Sequence, residues 1–273
     1  MHRILIASLA LACIMIAGCM EMDGFLFNTE ELDHYSLPGN TIPDSLLEQV
    51  VLDSDGNDIY GYWVKSNGAR PGLTVLYCHG NKHNMDAYWD RVMLLHRLGV
   101  NVFIFDYRGF GMSEGSSSQD GMYADAEAAL DFVTSKGVVP DSLCLYGFSL
   151  GNVASIYLAA RKVDPRCLIA ESPFASANSL TQGATGLDIP PRWLTEGTFD
   201  NALLIRDIKT PLLLVHGLED DFVRYRDNGR IVYENAPEPK RLITVTGAVH
   251  DNVPQTMGEE RYLDALREWI GEF

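Results

Sequence analysis

At 273 residues, 47% of them hydrophobic and 21% charged, the chain carries enough apolar side chains for one sizeable core and lies far from the composition of disordered proteins. Its formal net charge of −16 argues against nucleic acid and anionic headgroups as partners, because like charge repels, and leaves a neutral substrate open.

The first segment reads as a processing signal. His2 and Arg3 precede an apolar run from Ile4 to Ala17, of signal-peptide length and too short for a comfortable membrane span. The run ends in Ile16-Ala17-Gly18-Cys19, which resembles the bacterial lipobox, where a diacylglycerol is attached to the cysteine sulfur and the chain is cleaved before it. That resemblance implies a signal peptide over residues 1–18 and a lipoprotein starting at Cys19, anchored to a membrane by its acyl chains. With Met20 rather than Asp after the cysteine, the expected place in a two-membrane cell is the outer membrane, facing the periplasm. Residues 19–44 hold acidic residues and Pro38-Gly39 without apolar periodicity, and read as a tether. A single domain is expected over 45–273.

Leu47–Leu52 and Ile59–Val64 are β-prone runs around a turn-rich Asp53–Asp58 stretch and predict a hairpin. Near-continuous apolar strands then alternate with helices. They are strand Leu73–Cys78, helix Met85–Arg97, strand Val100–Phe105, helix Tyr123–Ser135, strand Leu143–Tyr146, helix Val153–Arg161 and strand Cys167–Ala170. Strand Leu212–Val215, helix Asn228–Asn235, strand Leu242–Val245 and helix Glu259–Ile270 follow. This alternation predicts a doubly wound, mostly parallel α/β sheet with an antiparallel N-terminal hairpin. Between 172 and 209 the rhythm lapses, and Gly183, Gly186, Pro190, Pro191 and Gly197 break any long element, so this stretch reads as a small cap.

Cys78, Cys144 and Cys167 lie in apolar runs and read as buried free thiols. His79 and His83 flank a Gly-Asn turn, and no CxxC spacing occurs, so no metal site is expected.

Gly147-Phe148-Ser149-Leu150-Gly151 follows an apolar strand and opens a helix, the context a nucleophile elbow requires. Without that context the five-residue pattern arises by chance too often to carry the argument. A serine hydroxyl needs a base to take its proton and an acid to fix the base's tautomer. Strand Leu212–Val215 runs into Asp220 and Asp221, and strand Leu242–Val245 runs into His250, so serine, acid and base follow in α/β-hydrolase order, each past the carboxyl end of a strand. A tetrahedral intermediate needs two backbone donors. The Leu150 N–H is one candidate, and the turn after strand Leu73–Cys78 offers Asn81, with Lys82 as the alternative.

These motifs, together with His79-Gly80-Asn81, Asp106-Tyr107-Arg108-Gly109-Phe110-Gly111, Glu171-Ser172-Pro173-Phe174 and His216-Gly217-x-x-Asp220-x-x-Val223, resemble the small-cap α/β-hydrolases, depalmitoylase-like and serine aminopeptidase-type. The similarity runs from Leu47 to the C-terminus. It implies Ser149, Asp220 and His250 as catalytic residues, because Asp220 and Val223 keep the His-Gly-x-x-Asp-x-x-Val register and Asp221 breaks it. It also implies structural roles for Asp106, Arg108 and Glu171, and no cofactor. Ala248-Val249 before His250 departs from the more usual glycine. The expected activity is hydrolysis of a carboxylic ester or thioester through an acyl-enzyme, with the acyl group left open. Amide or peptide cleavage by the same triad and a non-catalytic envelope module are the alternatives.

Overall fold

The computed structural model describes residues 26–68, 70–180 and 197–272. In chain order the elements are β1 (Asn28–Thr29), β2 (Leu47–Ser54), β3 (Asn57–Val64), β4 (Thr74–Cys78), β5 (Lys82–His83), α1 (Trp89–His96), β6 (Asn101–Phe105), α2 (Gln119–Ser135), β7 (Leu143–Phe148) and α3 (Gly151–Arg161). They continue with β8 (Cys167–Glu171), α4 (Asn201–Leu204), β9 (Leu212–Gly217), α5 (Gly229–Asn235), β10 (Lys240–Val245), α6 (Val253–Met257) and α7 (Glu259–Glu272).

Eight strands form one sheet in the order β10-β9-β8-β7-β4-β6-β3-β2, parallel from β10 through β6. β3 runs antiparallel to both β6 and β2, and the β2–β3 hairpin closes on Asp55-Gly56, both at positive φ, as a two-residue turn requires. The alternation of side chains along each strand divides the core between the two faces. On one face Leu76, Phe103, Leu145 and Leu168 pack with Met122 and Ala126 of α2 and Val153 and Leu158 of α3. On the other, Val75, Ile104, Ile169 and Leu213 pack with Val92 and Leu95 of α1 and Leu263 and Leu266 of α7. Strand succession reverses around β4, whose neighbours β7 and β6 both follow it in the chain, and such a switch point opens a crevice at the carboxyl edge.

α2 starts four residues earlier than the sequence pattern places it. The Ser118 hydroxyl accepts the Gly121 N–H at 3.0 Å and caps the first turn, which offsets the low helix propensity of that glycine. Cys78, Cys144 and Cys167 are free and buried, as expected, and burial raises the Cys78 thiol well above its ordinary range.

The described part of the expected tether, residues 26–44, corrects that reading. Leu26, Phe27 and Ile42 are buried, and the Phe27 ring lies 6.4 Å from Phe110 and 5.9 Å from Phe199. β1 pairs with β5 in a separate two-stranded parallel ribbon. No periodicity advertised this, because the contacts come from a two-residue strand and isolated apolar side chains. Residues 1–25, with Cys19, and the cap residues Gly183, Gly186, Pro190 and Pro191 lie outside the described residues. Among those described, no helix is long and apolar enough to cross a membrane.

Beneath the carboxyl edge a buried ion pair ties four elements together. Arg91 of α1 meets Glu171 at the end of β8, and Glu171 also accepts hydrogen bonds from Tyr262 of α7 at 2.7 Å and from Tyr146 of β7. Burial raises both tyrosines well above their ordinary range, so they stay protonated donors. Removing one partner of a buried pair strands the other charge. Glu171→Ala is therefore expected to lower unfolding free energy by about 3–5 kcal/mol in urea titrations, whereas Arg97→Ala, which breaks exposed pairs with Glu259 and Glu260, should cost about 1 kcal/mol or less.

Candidate active site

β7 delivers the chain to Ser149 and α3 carries it away two residues later, which forces a sharp reversal. Ser149 sits at φ 50°, a left-handed conformation that strains any residue with a Cβ. Hydrogen bonds hold it there: the Ser149 N–H donates to the Glu171 carbonyl at 3.0 Å, and the Asn152 amide donates to the carbonyls of Ser149 and Glu171 at 3.0 and 2.9 Å. The flanking glycines are required by contact. A Cβ on Gly147 would lie 2.8 Å from the Asn152 Cα, and one on Gly151 would run into the Cys78 carbonyl at the end of β4.

Asp220 follows β9 and is fixed by its own loop. One carboxylate oxygen accepts the N–H groups of Phe222 and Val223 at 3.1 and 2.7 Å; the other lies 2.7 Å from His250 Nδ1 and 3.5 Å from His216 Nε2. His216 Nε2 also lies 2.7 Å from the Val223 carbonyl, an acceptor, so this nitrogen carries the proton. Burial pushes the Asp220 carboxyl up, but hydrogen bonds from His216 and His250 outweigh it and hold the group well below the ordinary carboxylate range. The stability its ionised form contributes is therefore fully present above about pH 4 and is lost as pH falls through the depressed value.

His250 follows β10 and completes the line. Its Nε2 lies 2.9 Å from Ser149 Oγ, and its ring packs between Phe148 and Phe222 at 5.2 Å from each. Because the partner of Nδ1 is a carboxylate, Nδ1 carries the proton and Nε2 turns a lone pair to the serine, an assignment made from the acceptors. Where the sequence departs from the usual glycine before this histidine, Ala248 is buried and Val249 exposed. The close approach is made instead at Gly217, where a Cβ would meet the Ala248 carbonyl.

The turn after β4 faces the same crevice. Asn81 lines a cleft of about 570 Å³ with Ser149, His250, Tyr88, Phe222 and Asn28. The alternative donor, the Lys82 N–H, is engaged by the Tyr88 hydroxyl at 2.9 Å. A Cβ at Gly80 would lie 2.6 Å from that hydroxyl, which explains the glycine.

Residues 69–196 match the family described as serine aminopeptidase, S33. The chain is 32% identical over 225 residues to the uncharacterized protein Rv2307c of Mycobacterium tuberculosis, covering 82% of this chain and 78% of that one. It is 30% identical over 227 residues to the human α/β hydrolase domain-containing protein 17B, covering 82% and 74%. Its fold is similar to that of the Pyrococcus furiosus esterase Pf2001, with a TM-score of 0.69 at 23% identity over 86% of this chain and 94% of that one. This chain belongs to the α/β-hydrolase superfamily.

In this hydrolase the structure brings Ser149, Asp220 and His250 into hydrogen-bonding line and places Leu150 at the start of α3 beside the serine. Asp221 is exposed at the cleft. Arg108 is spent elsewhere, on a paired contact with buried Asp125 of α2. Asn28, Tyr88 and Phe222 in the cleft wall were missed by sequence reasoning; a lone asparagine in a tether, one aromatic inside a predicted helix and one in a loop carry no pattern that marks a cleft wall. Among the described residues no group of three or more His, Cys, Asp or Glu side chains is placed to hold a metal ion.

The two adjacent aspartates are separable by experiment. Asp220→Asn is expected to lower turnover of an activated ester by about 10⁴-fold, because the amide favours the wrong tautomer of His250. Asp221→Asn should keep most of it, with both proteins folded by circular dichroism.

Proposed function

We propose that this hydrolase cleaves carboxylic esters or thioesters through an acyl-enzyme at Ser149. The observation that carries the reading is the position of His250, 2.9 Å from the Ser149 hydroxyl on one side and 2.7 Å from the Asp220 carboxylate on the other. In this reading His250 takes the proton of Ser149 as its oxygen attacks the substrate carbonyl, and Asp220 holds the imidazolium that forms. The N–H groups of Leu150 and Asn81 receive the negative oxygen of the tetrahedral intermediate. His250 then returns the proton to the leaving alcohol or thiol, and water repeats the sequence to release the acid. The aromatic cleft walls suit an apolar acyl group, and the likeness in fold to an esterase agrees with an ester substrate.

The family described as serine aminopeptidase supports a second reading, in which the same residues cleave an amide. Turnover of matched ester, thioester and aminoacyl amide substrates separates the two. Ester or thioester cleavage with an inert amide supports the first, and the reverse supports the second.

We propose further that Cys19 is acylated and anchors the enzyme to a membrane, outer and periplasm-facing in a two-membrane cell, a reading supported by the lipobox-like Ile16–Cys19 sequence.

Ser149→Ala is expected to abolish labelling by a fluorophosphonate probe and to lower turnover by about 10⁴-fold or more; retained turnover would place the nucleophile elsewhere. Cys19→Ala should move the protein from the membrane fraction to the soluble one and stop incorporation of labelled palmitate. A variant that stays in the membrane, beside a wild type that takes up no label, sinks the anchor.

A further inference from the structure

The turn that presents Asn81 is short and has little structure of its own, yet an oxyanion donor works only if it is fixed before charge develops. Backbone bonds reach this turn from the arm preceding the hydrolase domain. β1 pairs with β5 in the register Asn28↔Lys82 and Thr29↔His83, and the Glu30 N–H donates to the His83 carbonyl at 2.9 Å. Those bonds grip the far side of the Gly80-Asn81 turn. The arm is gripped in turn by the loop after β6: the Gly111 N–H donates to the Glu30 carbonyl at 2.9 Å, and the Leu32 N–H donates to the Gly111 carbonyl at 2.8 Å.

A second grip runs through buried Asp106. One of its oxygens accepts the Met85 N–H at 2.7 Å and lies 2.9 Å from His79 Nε2, so the carboxylate sits against both ends of the segment 79–85. The other accepts the Tyr35 hydroxyl of the arm at 2.8 Å, and that hydroxyl in turn accepts the Met112 N–H at 3.1 Å. Gly111 leaves the room for this meeting, since a Cβ there would fall on the carboxylate and lie 2.8 Å from the tyrosine oxygen. A third contact joins the arm to the residue that follows this segment: the Ser36 and Leu37 N–H groups donate to Asp86 at 2.8 and 3.0 Å.

We infer that the arm from Leu26 to Leu37 is a positioning element of the oxyanion turn, acting through the β1–β5 pairing and through Tyr35 on Asp106. Tyr35 and Asp106 touch no substrate in this assignment; they are positioning residues. The arm also contributes Asn28 to the cleft wall, so the segment read as a tether is part of the site. The inference rests on the proposed role of the 79–82 turn in serine-hydrolase chemistry.

The test uses the full chain, a neutral p-nitrophenyl ester, an aryl boronic acid that forms a tetrahedral adduct at the serine, and the carboxylate product as ground-state ligand. Tyr35→Phe keeps the ring and removes the hydroxyl. Glu30→Pro removes the N–H that pairs with His83. Each is expected to lower kcat about ten-fold, a fraction of what a whole oxyanion donor contributes, with KM changed less than about two-fold. Boronic acid affinity should fall in step with kcat while product affinity holds, and Glu30→Gln, which keeps the backbone amide, should rescue the loss. A folded Tyr35→Phe or Glu30→Pro protein with unchanged kcat and boronate affinity overturns the inference, whatever happens to its melting temperature. If Tyr35→Phe does not fold, the Glu30 pair decides. Ser149→Ala separates the two layers: turnover retained there removes the reaction reading itself, and turnover lost there leaves the arm to be judged by its own variants.

Discussion

The imidazole of His250 has two nitrogens facing oxygen atoms on opposite sides, and the rest of the carboxyl edge is arranged around which of them holds the proton. The Asp220 carboxylate can only accept, so it fixes the proton on Nδ1 and leaves the Nε2 lone pair facing Ser149. For that to hold, Asp220 must remain ionised although buried. Its loop supplies the means, with two backbone N–H groups on one oxygen and two histidines near the other. His216, at the end of β9, keeps its ring against the Val223 carbonyl and so ties the loop back on itself. Parallel strands ending at a common edge bring the three side chains together from positions as much as 101 residues apart.

That line also requires Ser149 to project from a strained backbone, and strain persists only where the surroundings over-determine it. Here the determination comes from below. The Glu171 carbonyl receives the Ser149 N–H, while the Glu171 side chain is locked by Arg91, Tyr146 and Tyr262. The guanidinium of Arg91 lies 5.3 Å from the centre of the Phe148 ring, whose own ring packs on His250. One buried charge pair thus supports both the sharp turn at Ser149 and the aromatic wall against which the His250 ring is held. Residues that would read as structural are one contact removed from Ser149 and His250.

Most of this was legible in the sequence where the signal was repetitive or ordered along the chain. The strands of the parallel sheet are short apolar runs bounded by turn residues, and the structure places them within two residues of the pattern. The order Ser149, Asp220, His250 was legible because the fold sets every one of these residues just past a strand. What stayed hidden were contacts without a period: the two-residue pairing of β1 with β5, the five-residue helix α6, and the hub at Asp106. Asp106 sits in a readable motif, but nothing in that motif announces a tyrosine from 71 residues earlier in the chain as its partner. Long-range hydrogen bonds of this kind leave single polar residues as their only trace.

Asn28 in the wall of the cleft bears on where the hydrolase would work. Nine peptide units separate Cys19 from Asn28, and a fully extended chain advances at most about 3.3–3.6 Å per residue, or roughly 30 Å in all. If Cys19 carries the proposed acyl anchor, the mouth of the cleft can stand no farther than that from the bilayer surface. Substrate would then be sampled by diffusion within a plane rather than through a volume. The relevant measure of its abundance would be molecules per unit area of membrane, and the short leash would select for acyl groups presented at the lipid surface over those free in solution.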